Sequence, residues 1–322
     1  MAEERSILPF VSIIIINWQN WPDTQECLES VLKLNYPNYQ IILIDNGSKD
    51  GSVVKAEEFI TWHQDSPAIE LVKLPQNLGF AGGNNVGIKK ALDRGSKYIL
   101  LLNNDTLFPQ KNFLKKMVEY AENHQRVGMM TPKIYYAQSY LENPREPIIW
   151  FGGGRIDWLK LNPIQVGYNQ KEKISAGKNK KPCLADWLTG CCLLVRSKMI
   201  REIGLMREDF FLYFEDTDWS FRAREKKWKL VYFPSTWILH KVARSTKEFS
   251  SNYIYYNTRN KFICAWEHND YFRKVIVLIV SFWIFFKQLI KLGIGYQEKW
   301  SVAIKNGIED FWKHRMGKRS CV

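Results

Sequence analysis

Three carboxylates, Glu215, Asp216 and Asp218, fall within four residues of the aromatic string FFLYFEDTDWSFR, residues 210–222. Buried without partners such groups are costly, so they must meet water, a cation or an arginine; Arg222 and Arg224 are close in sequence. A carboxylate against an aromatic wall has its pKa raised toward the range useful to a general base. In a helix Glu215 and Asp218 would share a face and Asp216 would point elsewhere. The competing reading is a salt-bridged helix start, with acids at its positive end. Asp105 ends the string Leu102-Asn103-Asn104-Asp105 after an apolar run. There it can hold a hard divalent cation, Mg2+ or Mn2+, against diphosphate oxygens, or cap the next helix. His240 closes the run WILH and gains weight as a ligand if Asp105 already holds a metal.

Asp45 opens the turn Asp45-Asn46-Gly47, where it suits hydrogen bonds from a ribose or base, or an Asx-turn. Asn77-Leu78-Gly79-Phe80-Ala81-Gly82-Gly83-Asn84 reads as a glycine-rich loop entering a helix, able to bring backbone N–H groups to a phosphate. Its spacing is not GxGxxG, which counts against a dinucleotide fold.

These residues need elements to carry them. β-Branched or apolar runs at Val11–Ile16, Ile41–Ile44, Ile69–Leu74, Tyr98–Leu102 and Val127–Thr131 read as strands. Helical spacing marks Asp23–Leu34, residues 53–62, Asn85–Arg94 and Phe113–Asn123. Such alternation predicts an α/β chain with a mostly parallel sheet and helices on both faces. Ligands then bind beyond the carboxyl ends of the strands, where Asn17, Asp45–Asp50, Asn77–Asn84 and Asn103–Asp105 fall. Residues 138–185 read as a loop-rich insertion, with an exposed lysine loop at Lys178–Pro182; Leu230–Phe233 and Trp237–His240 read as two further short strands.

The 322-residue composition is globular, and its formal charge of +13 invites a nucleic-acid reading. The distribution argues otherwise. Residues 1–223 carry 27 basic and 26 acidic side chains, and residues 224–322 carry 19 and 7. The six cysteines form no CxxC pair, which speaks against a structural zinc site. The start MAEERSILPF lacks an apolar h-region, so a reducing, cytosolic setting is the expectation. Val275–Phe286 is a run of 12 uncharged residues, short of the roughly 20 needed for a bilayer span. On a helical wheel Arg273, Lys274, Lys287, Gln288 and Lys291 share an arc of about 140°. That pattern favours a helix lying in the membrane interface over a core helix or a span.

Taken in order, VSIIIINW, IDNGSKDGS, NLGFAGGNNVG, YILLLNNDT, WLTGCCLLV, FFLYFEDTDWSFR and ILHK resemble family 2 of the inverting glycosyltransferases, in its bacterial rhamnosyltransferase-like branch. The resemblance implies a GT-A domain over residues 1–265, followed by a basic, apolar, membrane-associating helical segment at 266–322. It implies transfer from a nucleotide-diphosphate sugar, dTDP-rhamnose or a UDP-sugar, to a lipid-linked or glycan acceptor in polysaccharide or cell-wall assembly. Asn17 and Asp45 would lie against base and ribose. Asn77, Gly79 and Asn84 would line the donor pocket, beside Asn103 and Asn104. Asp105, with His240, would hold Mg2+ or Mn2+; the family's Asp-x-Asp has Asn103 at its first position here. Asp216 matches the family's catalytic base, with Glu215 and Asp218 able to exchange roles with it. The enzyme would work at the cytoplasmic face of an anionic membrane, peripherally or monotopically, with no nucleic acid expected. A sugar nucleotidyltransferase is the alternative enzyme, disfavoured because Asn17-Trp18-Gln19-Asn20-Trp21 has no glycine. A membrane-surface or nucleic-acid binding module is the non-enzymatic alternative, and it leaves the carboxylates unexplained.

Overall fold

A computed structural model of the chain describes residues 8–63, 67–157, 162–173, 181–242 and 250–319. The apolar runs form β1 (Val11–Asn17), β2 (Tyr39–Asp45), β3 (Ile69–Lys73) and β4 (Tyr98–Asn103). β1 and β2 are buried along nearly their whole length, as strands covered on both faces must be. Helices α1 (Trp21–Val31), α2 (Ser52–Trp62), α3 (Gly79–Asp93) and α4 (Phe113–Asn123) alternate with them.

β5 (Thr106–Leu107), β6 (Val127–Tyr136), β7 (Ile149–Phe151), β10 (Cys183–Leu184), β11 (Cys192–Arg196) and β12 (Lys229–His240) complete a ten-stranded sheet. Its order is β10-β12-β6-β11-β4-β1-β2-β3, with β5 on β12 and β7 on β6. The pairs β1–β2, β1–β4, β2–β3 and β6–β12 are parallel, and β11 runs antiparallel between β4 and β6. Short α5 (Ala137–Glu142) and the hairpin of β8 (Gly154–Asp157) and β9 (Asn162–Gln165) lie in the 138–185 region. Lys178–Lys180 of the lysine loop lie outside the described residues.

Two strand expectations change. β6 runs on to Tyr136, and the two short strands around Pro234 are one strand, β12, with an irregularity between Phe233 and Trp237. α6 (Ser197–Ile203) and α7 (Glu215–Glu225) follow β11. The chain then builds α8 (Ser251–Glu267), α9 (Tyr271–Gly293) and α10 (Glu298–Trp312). The boundary expected at residue 265 thus falls inside α8, a helix that packs on α9 and α10 and also reaches the loop before α7.

Candidate functional site

Register brings the first polar cluster together. Asn17 and Asp45 end adjacent parallel strands as direct neighbours. Asn17 Nδ2 donates to Asp45 Oδ2 at 2.8 Å and to Ser48 Oγ at 3.2 Å. Ser48 N donates to Asp45 Oδ1 at 2.8 Å, so Asp45 closes an Asx-type turn as well as facing Asn17. Thr24 Oγ1 donates to Asn17 Oδ1 and accepts from Asn104 Nδ2, at 2.7 and 2.8 Å. Asn104 therefore belongs to the Asn17 network. Ser48 lies within the Asp45–Asp50 stretch expected at this end of the sheet, while Thr24 escaped notice because an isolated hydroxyl carries no spacing signal.

The glycine-rich stretch is not a loop. It forms the first turns of α3, starting at Gly79, because its glycines let the helix approach β1. A Cβ on Gly87 would stand 2.7 Å from Ile14 Cγ2, and one on Gly83 would stand 3.1 Å from Ile16 Cδ1. Gly79 itself has φ +77, and a Cβ there would meet the Phe211 carbonyl at 2.3 Å. Asn77 Oδ1 accepts from Gly79 N at 2.8 Å, and Asn46 braces the turn by accepting from Leu78 N at 2.9 Å. Asn84 is buried within α3, with Nδ2 on the Phe80 carbonyl and Oδ1 without a hydrogen-bond partner among the described residues.

Asp105 and His240 meet across the β5–β12 pairing, in which Thr106 faces His240. His240 Nε2 lies 3.2 Å from Asp105 Oδ1, with both side chains nearly buried. Burial opposes a charged His240, but Cys191 and Asp105 beside it outweigh that and raise its pKa well above the usual value. Among the described residues no cluster of three or more His, Cys, Asp or Glu could hold a metal. Carboxylate and imidazole still fit a hard cation as a partial set, because such ions take one or two carboxylates and fill the rest from phosphate and water. Lys241, part of the ILHK string but given no role there, follows His240 and bridges Asp23 and Glu26 at 2.8 and 2.7 Å.

The three carboxylates separate. Asp218 is fully buried and accepts from Arg222 Nε and lies against His268 Nε2, each at 2.8 Å. Despite burial, His268 and Arg222 hold its pKa below the ordinary value. That pairing removes Asp218 from the candidates for an exchangeable base. Glu215 is also buried, its Oε2 lacks a hydrogen-bond partner among the described residues, and burial next to Asp216 drives its pKa well upward. Asp216, the next residue of the helix, is partly exposed. Its Oδ2 accepts from Gly190 N at 2.9 Å and its Oδ1 from Thr217 Oγ1 at 3.2 Å. Burial raises its pKa despite these bonds.

The segment 190–191 joins the two acidic centres. Gly190 binds Asp216, while the Cys191 carbonyl accepts from Asn103 N at 2.9 Å and Cys191 adjoins His240. A Cβ on Gly190 would lie 2.9 Å from the Phe80 ring, so glycine is what lets α3, β11 and α7 converge there. The carboxyl ends of β1, β2, β4 and β12 thus carry a polar cluster and a cation-competent pair, with a perturbed carboxylate tied to them through Gly190 and Cys191.

A family model described as Glycosyl transferase family 2 matches residues 12–204. The low-salt glycan biosynthesis hexosyltransferase Agl10 of Haloferax volcanii is 24% identical over 91% of this chain and 89% of its own length. The N-acetylglucosaminyl-diphospho-decaprenol L-rhamnosyltransferase of Mycobacterium tuberculosis is 25% identical over 81% of this chain and 86% of its own. Among solved structures, the mannosyltransferase PcManGT from Pyrobaculum calidifontis in complex with GDP-Man and Mn2+ has a TM-score of 0.59 at 12% identity, covering 96% of this chain and 89% of that one. GalNAc-T7 with UDP, GalNAc and Mn2+ has a TM-score of 0.59 at 17% identity over 79% of this chain, which spans 48% of that longer one. What these structures share with the chain is the GT-A fold.

Proposed function

Because the chain belongs to glycosyl transferase family 2, we propose that it moves a sugar, with inversion, from a nucleotide-diphosphate sugar to an acceptor hydroxyl, using Asp216 as base. The observation that carries this is the 2.9 Å bond from Gly190 N to Asp216. It holds a partly exposed, pKa-raised carboxylate on the same short segment that adjoins Asn103 and His240. Family membership sets aside the nucleotidyltransferase and the non-enzymatic binding module.

In this reading the Asn17–Asp45–Ser48 cluster binds base and ribose, and the Asn77–Gly79 turn lines the sugar-phosphate side. Asp105 and His240 would hold a divalent cation, whose charge offsets that on the diphosphate when it is bound. Asp216 takes the proton of the acceptor hydroxyl as that oxygen attacks the anomeric carbon, opposite the departing diphosphate. Burial and the neighbouring Asp216 push the Glu215 pKa well upward, which disfavours a second negative charge beside the base.

The donors to test first are dTDP-rhamnose and UDP-sugars, and the acceptor is proposed to be lipid-linked. The helix α9 supports work at a membrane: it is 23 residues long, apolar and mostly exposed. Asp216→Asn should lower kcat by about 10²–10⁴-fold while calorimetry shows nucleotide binding intact. Near-normal turnover in this variant would overturn the assignment.

A further inference from the structure

The backbone just before the carboxylates is strained. Phe211, Tyr213 and Phe214 have φ of 65°, 67° and 71°, values that L-residues rarely adopt. Leu212 N donates to the Phe210 carbonyl at 2.8 Å, closing a γ-turn about Phe211, with φ 65° and ψ −58°, the rarer and strained form. No glycine relieves these positions, so something outside the loop must hold it.

The holder stands on α8. Asn260, fully buried, donates from Nδ2 to the carbonyls of Phe210, Leu212 and Tyr213 at 3.0, 2.8 and 2.9 Å. Two amide hydrogens are thus shared among three carbonyls. Asn260 Oδ1 accepts from Arg259 Nε at 2.9 Å, which orients the amide. Arg259, equally buried, adds a bond from Nη2 to the Phe210 carbonyl at 3.1 Å and one from Nη1 to the Gly317 carbonyl at 2.8 Å. On its opposite side the loop gives its Phe211 carbonyl to Phe80 N at 2.9 Å, at the start of α3. The loop is therefore gripped between the donor-side helix and α8, and it ends on Glu215 and Asp216.

We propose that Asn260, oriented by Arg259, is a positioning residue for glycosyl transfer: it holds the loop 210–214 with Phe211, Tyr213 and Phe214 at positive φ and thereby sets where the Asp216 carboxylate stands. The inference rests on Asp216 being the base. It also gives the helices after the GT-A sheet a part in the chemistry, since the grip comes from α8.

The test uses the full chain. Asn260→Ser gives up the three-carbonyl grip but keeps a hydroxyl. It should lower kcat about 10²-fold, the scale of a 1 Å misplacement, while donor KM and nucleotide affinity stay within about twofold. Loss of packing alone would not split kcat from binding in this way. Where Asn260→Ser does not fold, Arg259→Lys takes its place. Lysine keeps the charge near Tyr255 and Tyr256 but lacks the second arm to Phe210, so kcat should fall less, with the same split. A folded variant with wild-type kcat, or one losing nucleotide affinity in step with kcat, overturns the proposal, as does failure of both variants to fold. Asp216→Asn assayed alongside separates the two ideas. If it is inactive while Asn260→Ser is fully active, the grip alone is wrong; if it is active, the assignment of the base has failed and the grip falls with it.

Discussion

Asp216 and Glu215 are neighbours in sequence but differ in what they can do. Both pKa values are pushed up by burial, yet Glu215 is sealed in and Asp216 is reached from outside. A base works deprotonated, so a raised pKa places the acid limb of the kcat–pH profile above the ordinary carboxylate value of about 3.9. Activity should fall as pH drops through that limb, and its disappearance from the residual activity of Asp216→Asn would tie the limb to this residue. At the cation-competent pair, Asp105→Ala should abolish the dependence of nucleotide-sugar affinity on Mg2+ or Mn2+. Calorimetry with and without EDTA reads this directly, and an unchanged metal dependence would count against Asp105. Asp45, Asp105 and Asp216 stand out in the sequence as candidates because each sits where a local pattern ends, at a strand terminus or a helix start. Asp218 looked equivalent and is not, because its partner His268 lies fifty residues further on.

At the scale of elements, that pair ties α7 to the end of α8. Removing one partner of a buried ion pair costs about 3–5 kcal/mol, so Asp218→Ala should unfold at clearly lower denaturant. The pH dependence follows from the two shifts. Asp218 has a lowered pKa, so its contribution is present above about pH 3.9 and is lost as pH falls through the folded value. His268 has a raised pKa, because Asp218 and Glu225 outweigh its burial. Its contribution is complete below about pH 6.5 and fades as pH rises through the folded value. Thermal melts of His268→Gln should lack this alkaline decline, and an identical decline would show that the pair contributes nothing. The glycine run of α3 is the element that sequence misjudged. Glycines serve a phosphate loop and a close helix–strand contact equally well, and the choice depended on Ile14 and Ile16 lying beneath.

Across the whole molecule, exposed apolar side chains concentrate between Tyr271 and Val302, in the last helices, whereas residues 251–312 carry only 8 basic against 5 acidic side chains and the rest of the C-terminal positive excess flanks them. Val277, Ser281 and Gln288 bury one line along α9, and Trp312 of α10 donates to Ser281 Oγ at 2.9 Å. The opposite face leaves Ile279, Trp283 and Phe286 at least 60% exposed. Basic residues flank this stripe, with Lys287 over the Trp283 ring at 5.3 Å. Although α9 is long enough to span, doing so would carry Glu298, Lys305, Glu309 and Asp310 of the packed α10 toward the bilayer. The proposed seating is therefore in the interface, which would avoid that cost, with each basic side chain near an anionic leaflet adding about 1 kcal/mol. Ile279→Glu with Phe286→Glu should abolish sedimentation with anionic vesicles while sparing turnover of a soluble acceptor; retained sedimentation would refute the in-plane seating. The alternating apolar periods alone point to the parallel β1–β4 part of the sheet and the polar residues at its carboxyl ends, because strand burial and turn chemistry are local. Which carboxylate is available, what the glycines touch and what restrains the strained loop were settled by folding, because those answers depend on partners distant in sequence. Arg222 and His268 claim Asp218, Ile14 meets the glycines, and Asn260 grips the loop that delivers Asp216.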